Sequence, residues 1–314
     1  MLARQFAAMG HEVTVVTATP GSSDGAPADE PYRIVRTQRW ADLVRWTAWA
    51  QRCLVFGPTL RLLLIPLLLG RRTLVTHAAE FPWQSRPLVA RLQWLASWLC
   101  AKRLPVHGPS QSICARLPRP HVHIPNPYDA STFAPSALHR EGDLLYVGRL
   151  SEEKGVDTLL HALGILREQG LRPRLSIIGL GSEQAALQAL AQQLKVQEAI
   201  DWRGLKNSSE VAQAMNQHRV LVVPSRCKEA FGIVVLEGLA SGCQVVVSRK
   251  GGLVEAGGGW ARDFQNGDAQ ELATQITAAL KSDSEAEAAA IADYLSAHTP
   301  AAVARSYLQH MGAV

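Results

Sequence analysis

Three stretches of this sequence set charge and glycine in patterns that suit phosphate chemistry. Gly148-Arg-Leu-Ser-Glu-Glu-Lys-Gly155 holds a guanidinium, Arg149, and an ammonium, Lys154, between two glycines. Arg offers phosphate oxygens a planar fork and Lys a compact charge, so the pair suits a pyrophosphate; standing alone, the stretch also reads as a turn with solvated charges. Ile178-Gly-Leu-Gly181 is half of a dinucleotide fingerprint, with Gln184 where the third glycine would stand and Asp201 about twenty residues on, where a ribose-binding acid would lie. Its glycines equally suit a close approach of backbone to backbone. In Pro224-Ser-Arg-Cys-Lys-Glu-Ala-Phe-Gly-Ile-Val-Val-Leu-Glu237 a helix begins near Phe231 and Gly232, and its unsatisfied N–H groups would face an anion. Glu229 precedes that helix and Glu237 lies inside it, about 12 Å away in helical rise. That gap matches a sugar and a ribose at opposite ends of one pyrophosphate. A carboxylate in so apolar a helix needs a polar cleft, although Glu237 taken singly also reads as exposed or salt-bridged.

The elements that must position these residues alternate regularly. Strands at 144–147, 175–178, 200–202, 220–223 and 244–247 are each followed by a helix, at 156–169, 182–194, 209–217, 232–240 and 269–280. Such alternation predicts right-handed βαβ units and a parallel sheet covered on both faces, with ligands beyond the carboxyl ends of its strands. The three charged stretches are all strand-to-helix turns of that sheet.

The first half is less regular. A helix at 2–9, stopped by Gly10, feeds a strand at 13–17, so the chain opens on a helix where doubly wound domains open on a strand and glycine turn. A first βα element is therefore expected to be missing. A loop at 20–31 follows, then a helix at 39–52 whose Trp40, Trp46 and Trp49 lie among arginines. It reads either as indoles packed on a sheet or as an interfacial helix touching anionic lipid headgroups. Strands at 53–56 and 73–76 flank an apolar helix at 60–69, too short to span a bilayer. The proline-dense tract 118–127 marks a domain boundary, and 282–290 reads as a solvated helix.

Composition limits what this fold can serve. The chain has 314 residues, 47% hydrophobic and 19% charged, which indicates globular structure and more than one domain. Net charge is +5, with no basic run of the kind that binds nucleic acid. Cys53, Cys100, Cys114, Cys227 and Cys243 form no C-x-x-C pair or metal-ligand spacing, and no secretion signal opens the chain. A cytoplasmic setting is expected.

Taken in order, these stretches resemble glycosyltransferase family 4, retaining enzymes of the GT-B fold. Gly148–Gly155 is similar to the family's phosphate turn and Glu229–Glu237 to its E-x7-E signature; 236–242 and 251–255 fit the stretches that follow. The resemblance implies an α/β chain of two facing Rossmann-like domains with parallel sheets. These are an acceptor-side domain at 1–135, a nucleotide-sugar donor domain at 136–295, and a C-terminal helix, 296–314, packing back on the first. It implies that Arg149 and Lys154 hold the donor diphosphate, Glu237 the ribose hydroxyls and Glu229 the transferred sugar. Gly148, Gly181, Ala230, Phe231, Gly232 and Ile233 would line the donor site, with Trp202 beginning the wall around the base. His77 would face the reacting sugar, and 124–129 with Phe133 would form the hinge, Pro127 replacing the usual glycine. The partners implied are a nucleotide-diphosphate-sugar donor and a glycan or lipid-linked acceptor at the cytoplasmic face of an anionic membrane. No cofactor or metal is implied, in keeping with the absence of a D-x-D pair. A nucleotide-sugar-binding protein without activity, or an epimerase of the same fold, remains the alternative.

Overall fold

The computed structural model of the chain describes residues 1–19, 30–57, 59–76, 99, 102–117, 121–136, 138–282 and 287–312. It divides into two compact units, Met1–Asn126 with Pro300–Val314, and Pro127–Thr299. The break falls at Pro127 rather than at 135 because Tyr128 and Phe133 are buried in the core of the second unit. It falls at Pro300 rather than at 296 because Leu295 is buried there and His298 lies against the rings of Phe231 and Tyr294, at 5.7 and 4.8 Å.

The first unit carries β1 (Thr14–Thr17), β2 (Arg33–Arg36), β3 (Arg52–Phe56), β4 (Arg72–Thr76), β5 (Val106–Gly108) and β6 (His121–His123). They form two parallel sheets, β1-β2 and β3-β4-β5-β6. Every residue of β1 and of β3 lines one cavity of about 830 Å³, shared with Leu2, Phe6, Leu43 and Met311. The C-terminal helix Pro300–His310 buries Val303, Tyr307 and Leu308 with Phe6, Leu74 and Ile124. Tyr307 Oη lies 3.3 Å from Nδ1 of the buried His107, whose Nε2 is 2.6 Å from the Ile124 carbonyl.

The second unit is a six-stranded parallel sheet of β7 (Gly142–Val147), β8 (Leu175–Ile178), β9 (Ile200–Gly204), β10 (His218–Val223), β11 (Gln244–Ser248) and β12 (Ala261–Phe264), in the order β12-β11-β10-β7-β8-β9. Side chains alternate across it: Leu221 and Val223 enter one core, Val220 and Val222 the other. The sequence pattern finds the first five of these strands to within two residues. It does not find β2, β5, β6, β12 or the short helix Leu253–Gly257. Ala261-Arg-Asp-Phe264 has no apolar run because it is an edge strand.

The strand order places the reversal of chain direction between β7 and β10: the chain runs outward through β8 and β9, then returns to pair β10 with β7. Glycine lets the turns above these strands touch. A Cβ on Gly179, whose φ is +142, would sit 1.8 Å from the Gly148 carbonyl oxygen, and one on Gly181 would sit 1.9 Å from that of Leu150. Backbone bonds Gly148 N to Ile178 O (3.0 Å), Leu150 N to Leu180 O (3.0 Å) and Gly179 N to Gly204 O (2.8 Å) stitch the turns together. Gly179→Ala is expected to cost more than about 2 kcal/mol. Gly170→Ala, where φ is also positive but nothing lies within 4 Å, should cost clearly less. Urea melts compare them, and equal losses would mean that contact between the turns is not what Gly179 provides.

Candidate functional site

Above the reversal point two turns meet, Gly148–Gly155 after β7 and Pro224–Gly232 after β10. Gly155 adopts φ +66, and a Cβ there would lie 2.2 Å from the Pro224 carbonyl oxygen. The Glu153 carbonyl accepts from Arg226 N at 2.8 Å and Cys227 N at 3.1 Å. Arg226 also reaches back through Nη2 to Asp157, and to Thr158 Oγ1 at 3.1 Å, at the start of the helix Val156–Glu168. The two turns are therefore tied directly to one another.

Lys154 and Glu229 sit where they touch, with Nζ 2.5 Å from Oε1 and both side chains largely covered, at 23% and 22% exposure. Ser225 Oγ donates to the same carboxylate oxygen at 2.8 Å. The backbone at Glu229 is held from its other side by a bridge to Gly251 and by Gly252 N, which donates to the Glu229 carbonyl at 2.8 Å. Gly251 and Gly252 leave no room for a Cβ, which would fall 2.6 Å from the carbonyl oxygens of Glu229 and Ala230 respectively. Arg149, on the same turn as Lys154, has 70% of its side chain exposed and lies 4.0 Å from Glu153. Its carbonyl accepts from the buried Tyr146 hydroxyl at 2.8 Å. The same hydroxyl lies 2.8 Å from where a Gly148 Cβ would be.

The helix Ile233–Ala240 starts at Gly232, whose φ of +104 and closeness to Leu253 leave no room for a side chain. Its first N–H groups have no side-chain cap, and Ala230, Gly232 and Ile233 are half-buried or exposed around them. Phe231 differs: its ring is 2% exposed and belongs to the core, so only its backbone is left to meet a ligand. Glu237, in the second turn of this helix, is half-buried. Burial first, and repulsion from Asp129 second, push its carboxyl up to about 7. Asp129 has partners of its own, accepting from Ser131 Oγ at 2.6 Å and Thr132 Oγ1 at 2.7 Å, which hold its carboxyl below the usual range.

The structure thus brings Gly148, Arg149, Lys154, Glu229, Ala230, Gly232 and Ile233 to one end of the sheet. Gly181 is beside them, its small size used against Leu150. Trp202 lies on the edge strand β9, its ring partly packed on the core beneath. His77 lies outside the described residues. Sequence reasoning passes over Ser225 and Arg226: both sit in the quoted Pro224–Glu237 stretch, but their partners are distant in sequence. Among the described residues no cluster of His, Cys, Asp and Glu could hold a metal ion.

Residues 130–294 match the family model described as glycosyl transferases group 1. Glycogen synthase of Mycobacterium tuberculosis is 39% identical over 114 residues, 36% of this chain and 27% of that protein. The first curated relatives are matched over only 28% to 41% of their own lengths. A solved glycosyltransferase from Rickettsia africae superposes with a TM-score of 0.78 at 15% identity, covering 99% of this chain and 92% of that one. Anabaena Alr3699/HepE in complex with UDP does so with 0.74 at 17% identity, covering 91% and 87%. The fold is that of GT-B glycosyltransferases, α/β with parallel sheets.

Burial of Glu237 has a measurable consequence. Its folded-state value, about 7, exceeds its ordinary 4.5, so the folded chain keeps a proton that the unfolded chain releases. Stability from this group is intact below pH 4.5 and is lost as pH rises toward 7, by at most about 3 kcal/mol. Glu237→Gln should match the parent near pH 4.5 and exceed it in melting temperature near pH 8. A gap between the two that stays constant with pH would rule this out.

Proposed function

We propose, on the premise that this chain belongs to the glycosyl transferases group 1 family, that it is a retaining glycosyltransferase. It would move a hexose-type sugar from a nucleotide-diphosphate-sugar donor to a glycan or lipid-linked acceptor. The observation that carries this reading is the Lys154–Glu229 contact across the point where strand order reverses. Ligands of parallel sheets bind at such a point. A cation there suits the leaving diphosphate and a carboxylate suits hydroxyls of the sugar. The bond that breaks in sugar transfer joins those two groups, so their binding residues must be neighbours.

In this reading Arg149, Lys154 and the N-terminus of the helix Ile233–Ala240 meet the charge that develops on the diphosphate as the anomeric C–O bond lengthens. These fixed positive groups take the part a divalent cation would otherwise play. Glu229 accepts from sugar hydroxyls, and Ser225 and Gly252 hold it in place. Glu237 accepts from the ribose hydroxyls. Trp202 and Gly181 border the base side, and the family resemblance assigns His77 to the reacting sugar.

Incubation with uridine- and guanosine-diphosphate sugars should release nucleoside diphosphate at a rate unaffected by a metal chelator. Lys154→Ala and Glu229→Ala should each reduce it by at least about a hundredfold. Full turnover in both variants would sink the assignment. Release of a free epimerised sugar would instead identify an epimerase, and nucleotide-dependent thermal stabilisation without turnover a binding protein.

A further inference from the structure

The first unit concentrates positive charge. Between Pro31 and Thr76 the sequence holds eight arginines and one acid, Asp42, although the whole chain carries only +5. Two helices of this stretch, Trp40–Trp49 and Leu60–Leu68, pack side by side. Arg61 near the start of the second donates to the Gln38 carbonyl at 3.3 Å, and Arg71 beyond its end donates to the Ala48 carbonyl at 2.5 Å. The two helices therefore run in the same direction. The inward side of the first turns Leu43 and Trp46 toward the cavity beside β1 and β3. Its other side presents Trp40, 56% exposed, and Val44, one turn on, 41% exposed, flanked by Arg39 and Arg45. At the far end of the pair stand Leu68, 80% exposed, and Leu69.

The sequence leaves two readings of the Trp-rich helix open, and this geometry separates them. Trp46 and Trp49 pack edge to face, ring centroids 5.7 Å apart, and both line the cavity, with the guanidinium groups of Arg33 and Arg45 5.2 and 5.5 Å from the Trp46 ring; Trp40 is the indole left to the outer side. An exposed indole and aliphatic side chains, ringed by arginine with a single acid nearby, are the two requirements of an interfacial surface: apolar area to bury and cations for phosphate headgroups. No described helix is long and apolar enough to cross a membrane. We propose that the outer face of this helix pair docks on the surface of an anionic lipid bilayer, with Trp40, Val44, Leu68 and Leu69 entering the headgroup layer and Arg39 and Arg45 meeting lipid phosphates. The assignment does not depend on the donor reading, because it uses none of the donor-site residues.

Cosedimentation tests it with the whole chain, using phosphatidylcholine vesicles with and without phosphatidylglycerol. Binding should require the anionic lipid and fall steeply between about 50 and about 500 mM salt. Arg39→Glu with Arg45→Glu should reduce partitioning at least tenfold, on the order of 1 kcal/mol per cation at the surface. Trp40→Ala should reduce it several-fold while leaving the salt slope unchanged. Trp40 is exposed, so Trp40→Ala should melt with the parent; Arg45 also lies over the Trp46 ring, so the double charge reversal should melt slightly lower, and nucleotide binding should be unaltered in both. Equal binding to neutral vesicles, no binding to either, binding indifferent to the charge reversal, or retention by nucleic acid in place of anionic vesicles would each overturn it.

Discussion

Two turns from different parts of the chain must share one small volume at the end of the six-stranded sheet. A Cβ on Gly155 would fall almost on the Pro224 carbonyl oxygen, so the turn after β7 and the turn after β10 meet backbone to backbone. Everything proposed for the donor site follows from this contact. It brings Lys154 to Glu229, and it lets the Glu153 carbonyl take two N–H groups from the opposite turn. Arg226 then ties the far turn to the helix start at Asp157. A side chain at residue 155 would push the turns apart by the width of a methyl group. The charged pair would open, although neither of its members would have changed.

The electrostatics divide along the same lines. Lys154 and Glu229 neutralise one another and are supported on several sides, so they can be largely covered without a large desolvation cost. Glu237 has no cation among the described residues and a second carboxylate near it, and its proton affinity rises accordingly. A ligand whose hydroxyls donate to this carboxyl would favour its ionised form and release the proton. The two carboxylates thus differ in kind: Glu229 is held by Lys154 and Ser225, whereas Glu237 lies half-buried near a second carboxylate.

How much of this could be read in the sequence depended on burial. Strands covered on both faces, such as Leu-Val-Val at 221–223, are written as apolar runs, and the charged turns between them stand out by contrast. Edge elements carry no such mark: β12 sets arginine and aspartate side by side between alanine and phenylalanine, and β5 is three residues long. The glycines were legible as exceptions but their reason was not, since the partner of Gly251 is Glu229 and that of Gly179 is Gly148. Arg226 was illegible for a related cause. An arginine that holds two turns together has the same local sequence as one that faces solvent, and only the distant Asp157 separates them.

The first unit holds one feature that bears on how the protein behaves in solution. β1 and β3 each pair on one side only among the described strands, and both line the same cavity. A lipid or small apolar molecule could fill that space without satisfying the N–H and C=O groups along its two walls. An extended polypeptide backbone carries the N–H and C=O groups that such an edge pairs with. Unpaired edge groups of this kind favour pairing with another extended segment over filling by apolar matter alone.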